Sequence, residues 1–153
     1  MSRIDLNDVP EHKVSNYPAP FDLEVGKRIH QRLGDAGGLT QFGVNLIQLH
    51  PGSWSGQRHW HSLEDEFVYV ISGEITLITD HGEQIMHAGD CAAFPANTPN
   101  GHHVINKSQS VAVCLEVGSR NANDCVVYSD IDMVFEPKIE GYAYKDGTPY
   151  PPK

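Results

Sequence analysis

Apolar and polar residues alternate through most of the chain after Gln41, the two-residue period of a half-buried β-strand. Phe42-Gly-Val-Asn-Leu-Ile-Gln-Leu opens the pattern. Glu66-Phe-Val-Tyr-Val-Ile and Glu74-Ile-Thr-Leu-Ile-Thr follow, joined at Ser72-Gly73, and a turn at Asp80-His81-Gly82 leads into Glu83-Gln-Ile-Met-His. Then come Cys91-Ala-Ala-Phe, His102-His-Val-Ile-Asn, Val111-Ala-Val-Cys-Leu-Glu-Val and Cys125-Val-Val-Tyr. Short strands recurring about every ten residues, with Gly or Asn turns, predict an all-β sandwich or barrel of antiparallel strands. No helical period of useful length interrupts them. Residues 1–40 read as an irregular N-terminal arm broken by Pro10, Pro18 and Pro20; residues 41–135 read as the barrel. Residues 136–153, with Pro137, Pro149, Pro151 and Pro152, read as an extended C-terminal arm of the same single domain.

The run Phe67-Val-Tyr-Val-Ile71 departs from strict alternation. It is apolar on both faces, so something should cover its outer side. A second copy of the chain in a homodimer is expected there, or failing that the terminal arms.

Composition narrows the setting. The chain has 153 residues, 11 basic and 20 acidic, with a net charge of −9 and no basic cluster in its sequence. Nucleic acid and anionic membranes are therefore poor partners, although a metal and a local arginine can still admit an anionic small molecule. Cys91, Cys114 and Cys125 are too few and odd in number for a disulfide framework, and Cys91 and Cys114 read as buried thiols. A reducing cytoplasm is the expected location. The opening residues show no apolar leader, and no apolar run approaches the roughly 18 residues of a membrane span.

The chemistry concentrates in His59-Trp60-His61-Ser-Leu-Glu-Asp-Glu66. Two histidines at i and i+2 on an extended backbone face the same side, and Glu66 opens the next strand close by. His102-His103 offers a further imidazole. Three histidines and a carboxylate suit a divalent Fe, Mn, Ni, Co or Zn ion. His12, His30, His50, His81 and His87 read as surface or satisfied core residues.

The segment resembles the first motif of the cupin superfamily, G(X)5HXH(X)3–4E(X)6G: His61 is followed by four residues, Glu66, six residues and Gly73. The second motif, G(X)5PXG(X)2H(X)3N, is matched by Gly89, Pro95, His102 and Asn106. Arg32-Leu-Gly-Asp-Ala, Arg58-His-Trp-His, Leu115-Glu-Val-Gly and Asp146-Gly-Thr-Pro-Tyr further resemble a bacterial family of short single-domain cupins, a likeness that brings no substrate. The resemblance implies a jelly-roll barrel holding a metal through His59, His61, Glu66 and His102. Three departures stand out. Gly52 lies one residue too far from His59; Asn97 replaces the glycine of PXG; and Thr98-Pro-Asn-Gly puts four residues before His102 in place of two. The last leaves His102 and His103 as rival ligands. Spacing to Asn106 favours His102, with His103 pointing outward.

Arg58 could clamp a substrate carboxylate or phosphate, or pair with a nearby acid. Val68 and Val70 share the parity of Glu66 and would line an apolar wall. Tyr69 falls on the outer face, and Trp54 and Trp60 read as packing. Three histidines and one carboxylate leave positions on a metal open, as catalysis requires. The expected role is a metal-dependent enzyme acting on a small organic molecule, an oxygenase or an isomerase. A non-catalytic metal or small-molecule binding module is the alternative.

Overall fold

The computed structural model describes residues 3–139 and 141–152. Met1, Ser2, Glu140 and Lys153, parts of the expected arms, lie outside the described residues. The strands are β1 (Glu11–His12), β2 (Arg28–Arg32), β3 (Phe42–Leu49), β4 (His59–His61), β5 (Glu66–Ser72), β6 (Glu74–Thr79), β7 (Gly82–His87), β8 (Cys91–Phe94), β9 (His103–Ile105), β10 (Ala112–Ser119), β11 (Val126–Tyr128), β12 (Val134–Glu136) and β13 (Gly141–Ala143). Helix is confined to single turns such as α1 (Phe21–Glu24) and α2 (Leu33–Ala36).

One six-stranded sheet runs β1-β2-β3-β10-β5-β8. Facing it are the sheets β7-β6-β9 and β13-β12-β11-β4, stitched together where His59 bridges His102. All strand pairs are antiparallel, and the result is a jelly-roll barrel. Its core is the inward parity of each strand. Ile47 and Leu49, Val68 and Val70, and Ala112 and Cys114 meet Ile75, Leu77, Met86 and Val104 across the barrel. Such branched apolar side chains suit the pleat, and removing them from water supplies most of the drive to fold.

Two turns hold the barrel in register. Gly73, at φ +80°, joins β5 to β6; a Cβ there would sit 2.8 Å from the Ala112 Cα. Asn106 is fully buried just after β9. Its Nδ2 donates to the carbonyls of Leu49 and Ser110 at 2.7 Å each, and its Oδ1 accepts from the Ser108 backbone at 2.9 Å. The asparagine that ends the second motif thus ties three strand ends together.

The structure corrects several expectations. The first forty residues are not irregular throughout, for β2 pairs with β3 along its whole length, Arg28 opposite Leu49 through Arg32 opposite Asn45. The tail is likewise folded rather than merely extended. Its β13 pairs with β12, and tail, barrel and N-terminal arm together build a second core of Tyr17, Val25, Tyr128 and Met133, backed by Phe21, Tyr142 and Tyr150. Prolines had obscured both. Cys91 is exposed rather than buried, because the outward parity of β8 faces away from the core, while Cys114 is buried as expected. Phe67, Tyr69 and Ile71 stand 38%, 41% and 45% exposed on the outer face of β5, so neither arm covers them among the described residues. No helix among these residues is long and apolar enough to cross a membrane.

Candidate metal centre

β4 carries His59 and His61 on one parity, with Trp60 on the other. β5 begins at Glu66, whose carboxylate reaches the same point from the adjoining sheet. Ligand atoms of His59, His61 and Glu66 all lie within 4.8 Å of one another. Three imidazole nitrogens converge on Glu66 Oε2: His102 Nε2 at 2.7 Å, His61 Nε2 at 3.4 Å and His59 Nε2 at 3.5 Å. The structure therefore brings together all four residues that the sequence marked.

The orientation of the rings is set from behind. His59 Nδ1 donates to the Gln57 carbonyl at 2.7 Å, and His61 Nδ1 donates to Asp124 Oδ2 at 2.6 Å. Each bond holds a proton on Nδ1 and turns Nε2 toward the carboxylate, the orientation a metal requires. His102 is held differently: its ring stacks on Phe94 at 3.6 Å between centroids, and its buried Nδ1 has no hydrogen-bond partner. Three imidazole nitrogens gathered on one carboxylate oxygen need positive charge between them, supplied by protons or by a metal ion. The donor set fits a divalent ion for that reason.

Without an ion, protons supply that charge. Burial alone would push the Glu66 carboxyl up, but hydrogen bonds from His102, His59 and His61 hold it well below the usual carboxylate range. Burial likewise opposes charge on His61, yet the Glu66 and Asp124 carboxylates raise it to about 9. Burial keeps His102 below its ordinary value despite Glu66.

Asp124 was not marked by the sequence. Besides His61 it accepts from the Leu63 backbone at 2.7 Å and from Glu64 N and Ser62 Oγ at 3.2 Å each, so one carboxylate fixes both the ring and the β4–β5 turn. Nothing local to Asn123-Asp-Cys announces this; the contact spans 63 positions. Glu116 was also missed, although the sequence held a signal: it interrupts an apolar run in β10 at the inward parity, opposite Val68. Its carboxyl faces the cavity, and burial, with Glu66 nearby, raises it to about 8.

His103 does not point outward to solvent. It is 6% exposed, its ring meets the edge of Trp54 at 5.1 Å, and its Nδ1 donates to the Gly56 carbonyl at 2.9 Å. The four residues before His102 form a loop that starts from Asn97, which at φ +55° donates its backbone N–H to the His61 carbonyl at 2.8 Å. The longer loop is thereby anchored to β4, and His102, not His103, faces Glu66. Gly101 is required beside it, because a Cβ there would overlap the Ser129 hydroxyl.

Arg58 is not brought to the site. Its guanidinium donates to Asp130 Oδ2 at 2.8 Å and Oδ1 at 2.6 Å, to the Gly101 carbonyl at 3.1 Å and to Asp80. These partners occupy the fork that a substrate clamp would need, so the pairing alternative describes it and the clamp does not.

The cluster opens into a cavity of about 260 Å3 inside the barrel, walled by Val68, Phe94 and Val104 and reaching out to the N-terminal arm. A model of the cupin domain matches residues 45–118. The solved structure of a sugar phosphate isomerase of the cupin superfamily from Silicibacter pomeroyi is 44% identical, covering 98% of this chain and 97% of its own, with a TM-score of 0.91. The chain belongs to the cupin superfamily. A solved structure provisionally called a sugar phosphate isomerase, from Acidithiobacillus ferrooxidans, is 33% identical over 78% of this chain and 76% of its own, at a TM-score of 0.73. The polyketide cyclase of Streptomyces resistomycificus, 20% identical over 78% of this cupin and 79% of its own chain at a TM-score of 0.64, shares the fold alone. Among curated proteins none matches.

Proposed function

We propose that this cupin is a metal-dependent isomerase of a small phosphorylated sugar, with His59, His61, Glu66 and His102 as ligands of one divalent ion. The observation that carries the reading is the convergence of three imidazole Nε2 atoms on Glu66 Oε2 at the head of a cavity. The similarity to the Silicibacter pomeroyi protein supplies the reaction class and favours an isomerase over an oxygenase. A bound ion in such a site supplies Lewis acidity to a carbonyl and its neighbouring hydroxyl.

The rest falls to the chain. Interconverting an aldose and a ketose moves one proton between adjacent carbons and one between their oxygens, with no oxidant or co-reactant. A single group able to take and return a proton near neutral pH suffices for the carbon step. Glu116 has that character, raised to about 8 and facing the cavity with Glu66. Val68, Phe94 and Val104 exclude water from the sugar's carbon face.

The test is metal analysis of the purified protein, then incubation of the metal-loaded form with aldose and ketose phosphates in D2O. The expected result is deuterium at the carbon next to the carbonyl, together with interconversion. A loaded protein that exchanges no substrate proton overturns the isomerase in favour of a binding module; oxygen uptake would instead indicate an oxygenase.

The outer face of the six-stranded sheet is read as the seat of a second copy. Phe67, Tyr69 and Ile71 adjoin Leu115, Val117 and Val44 there with no charged neighbour between them, a patch of the kind monomers seldom leave open. Sedimentation equilibrium should give twice the chain mass, and Tyr69→Glu should give the chain mass.

A further inference from the structure

β2 turns Arg28, His30 and Arg32 toward the cavity by its two-residue period, and β1 sets His12 directly opposite His30. Their satisfaction is incomplete. Arg28 donates to the Ser55 carbonyl and lies 5.8 Å over the Tyr17 ring. The Arg32 side chain has no hydrogen bond or ion pair among the described residues, and His30 Nε2 is buried without a hydrogen-bond partner. Burial and the neighbouring charges of Arg28, Arg32 and His12 hold His30 down near 3. Glu116 also lines the cavity, but no ion pair joins it to either arginine among the described residues. In a chain with 20 acidic and only 11 basic residues, this wall gathers two guanidinium groups that no carboxylate pairs with directly among the described residues.

We propose that this wall is a phosphate subsite. Arg28 and Arg32 are the charge-assisted donors, and His30 and His12 complete the cradle for a phosphate monoester dianion. Guanidinium forks match phosphate oxygens in geometry as well as charge. The phosphate end of the substrate sits on β2 while its carbonyl end reaches His59, Glu66 and His102. A cavity of about 260 Å3 has room for one small molecule spanning both ends. The identity of the ligand as a sugar phosphate rests on the isomerase reading; the anion chemistry does not.

The probe is inorganic phosphate, titrated calorimetrically into chelator-treated protein so that no metal can hold it. Saturable binding of one phosphate per chain is expected. Arg32→Gln, an exposed residue with no structural partner, should weaken it about tenfold or more, as loss of a charge-assisted donor does. His30→Gln should weaken it less, and Arg28→Met with Arg32→Gln should abolish it, with metal content unchanged in each. If the double variant unfolds by circular dichroism, the two single variants carry the test. Phosphate that binds only after metal loading, or equally well to wild type, Arg32→Gln and His30→Gln, overturns the subsite. Wild-type protein that binds phosphate but no metal leaves the subsite standing and removes the metal centre.

Discussion

The two ends of the cavity are built from the same kind of side chain and finished in opposite ways. At the β4 end, His59 and His61 are each tied through Nδ1 to an acceptor, and His102 is clamped on Phe94, so three nitrogens are fixed around one carboxylate. At the β2 end, His30 has a buried nitrogen with nothing to bond, and Arg32 beside it is unpaired. Acceptors behind the imidazoles prepare lone pairs for a cation. Unanswered donors prepare positive charge for an anion. The lesson is that the partners of a histidine, more than its presence, state the sign of what it binds.

The largest effect should come from the β4 end. His61→Ala removes one nitrogen of the convergent set and should cost more than about 100-fold in metal affinity, read by metal analysis after dialysis. The barrel should stay folded by circular dichroism, since its core is apolar. Full metal retention in that variant would sink the assigned ligand set. His102→Ala and His103→Ala should then separate, the first losing metal and the second retaining it, because His103 is committed to Gly56 and Trp54. Equal losses would mean that the stacking on Phe94 does not define the site.

A smaller effect belongs to the support behind the rings. Asp124→Asn keeps the shape but weakens the acceptor on His61 Nδ1, and metal affinity should fall about 10- to 100-fold, measured by competition with a chelator. Phosphate binding should not change, which sharpens the separation of the two ends.

The smallest effect is on stability and lies between the ends. Glu116 holds its proton in the folded state up to about pH 8, whereas an ordinary carboxyl, at 4.5, releases it on unfolding. The folded form thus binds the extra proton between these values, and stability must fall as pH rises through that window. Glu116→Gln lacks the penalty. In chelator-treated protein the variant's advantage should grow as pH rises from 4.5 to 8, and the gap should close below pH 4.5. Parallel denaturation curves at all pH values would contradict a buried, cavity-facing carboxyl.

Much of the β4 end was legible in the chain. The i, i+2 pair at His59 and His61 depends only on strand parity, which is a local property, and Glu66 lies five positions further on. His102 against His103 was harder, for four loop residues intervene and only the bond from Asn97 to the His61 carbonyl shows how the loop is taken up. For Arg58 the sequence left a clamp and an ion pair both open, because its partner Asp130 is 72 positions away. His30 was read as bland because a lone histidine inside a proline-bounded arm shows no strand neighbours on which parity can be counted.

What the sequence determined by itself was periodic: the strands, their apolar inner faces, and the histidines and glutamate that share one parity. Those follow from backbone geometry within a few residues, and no fold is needed to read them. What only the tertiary structure decided was which distant groups meet: that β2 joins the sheet and turns Arg28, His30 and Arg32 into the cavity, that Asp124 stands behind His61, and that Arg58 is spent on Asp130. Pairing between strands sets these contacts, and the free energy that selects one pairing is summed over the whole buried core rather than carried by any local run of residues.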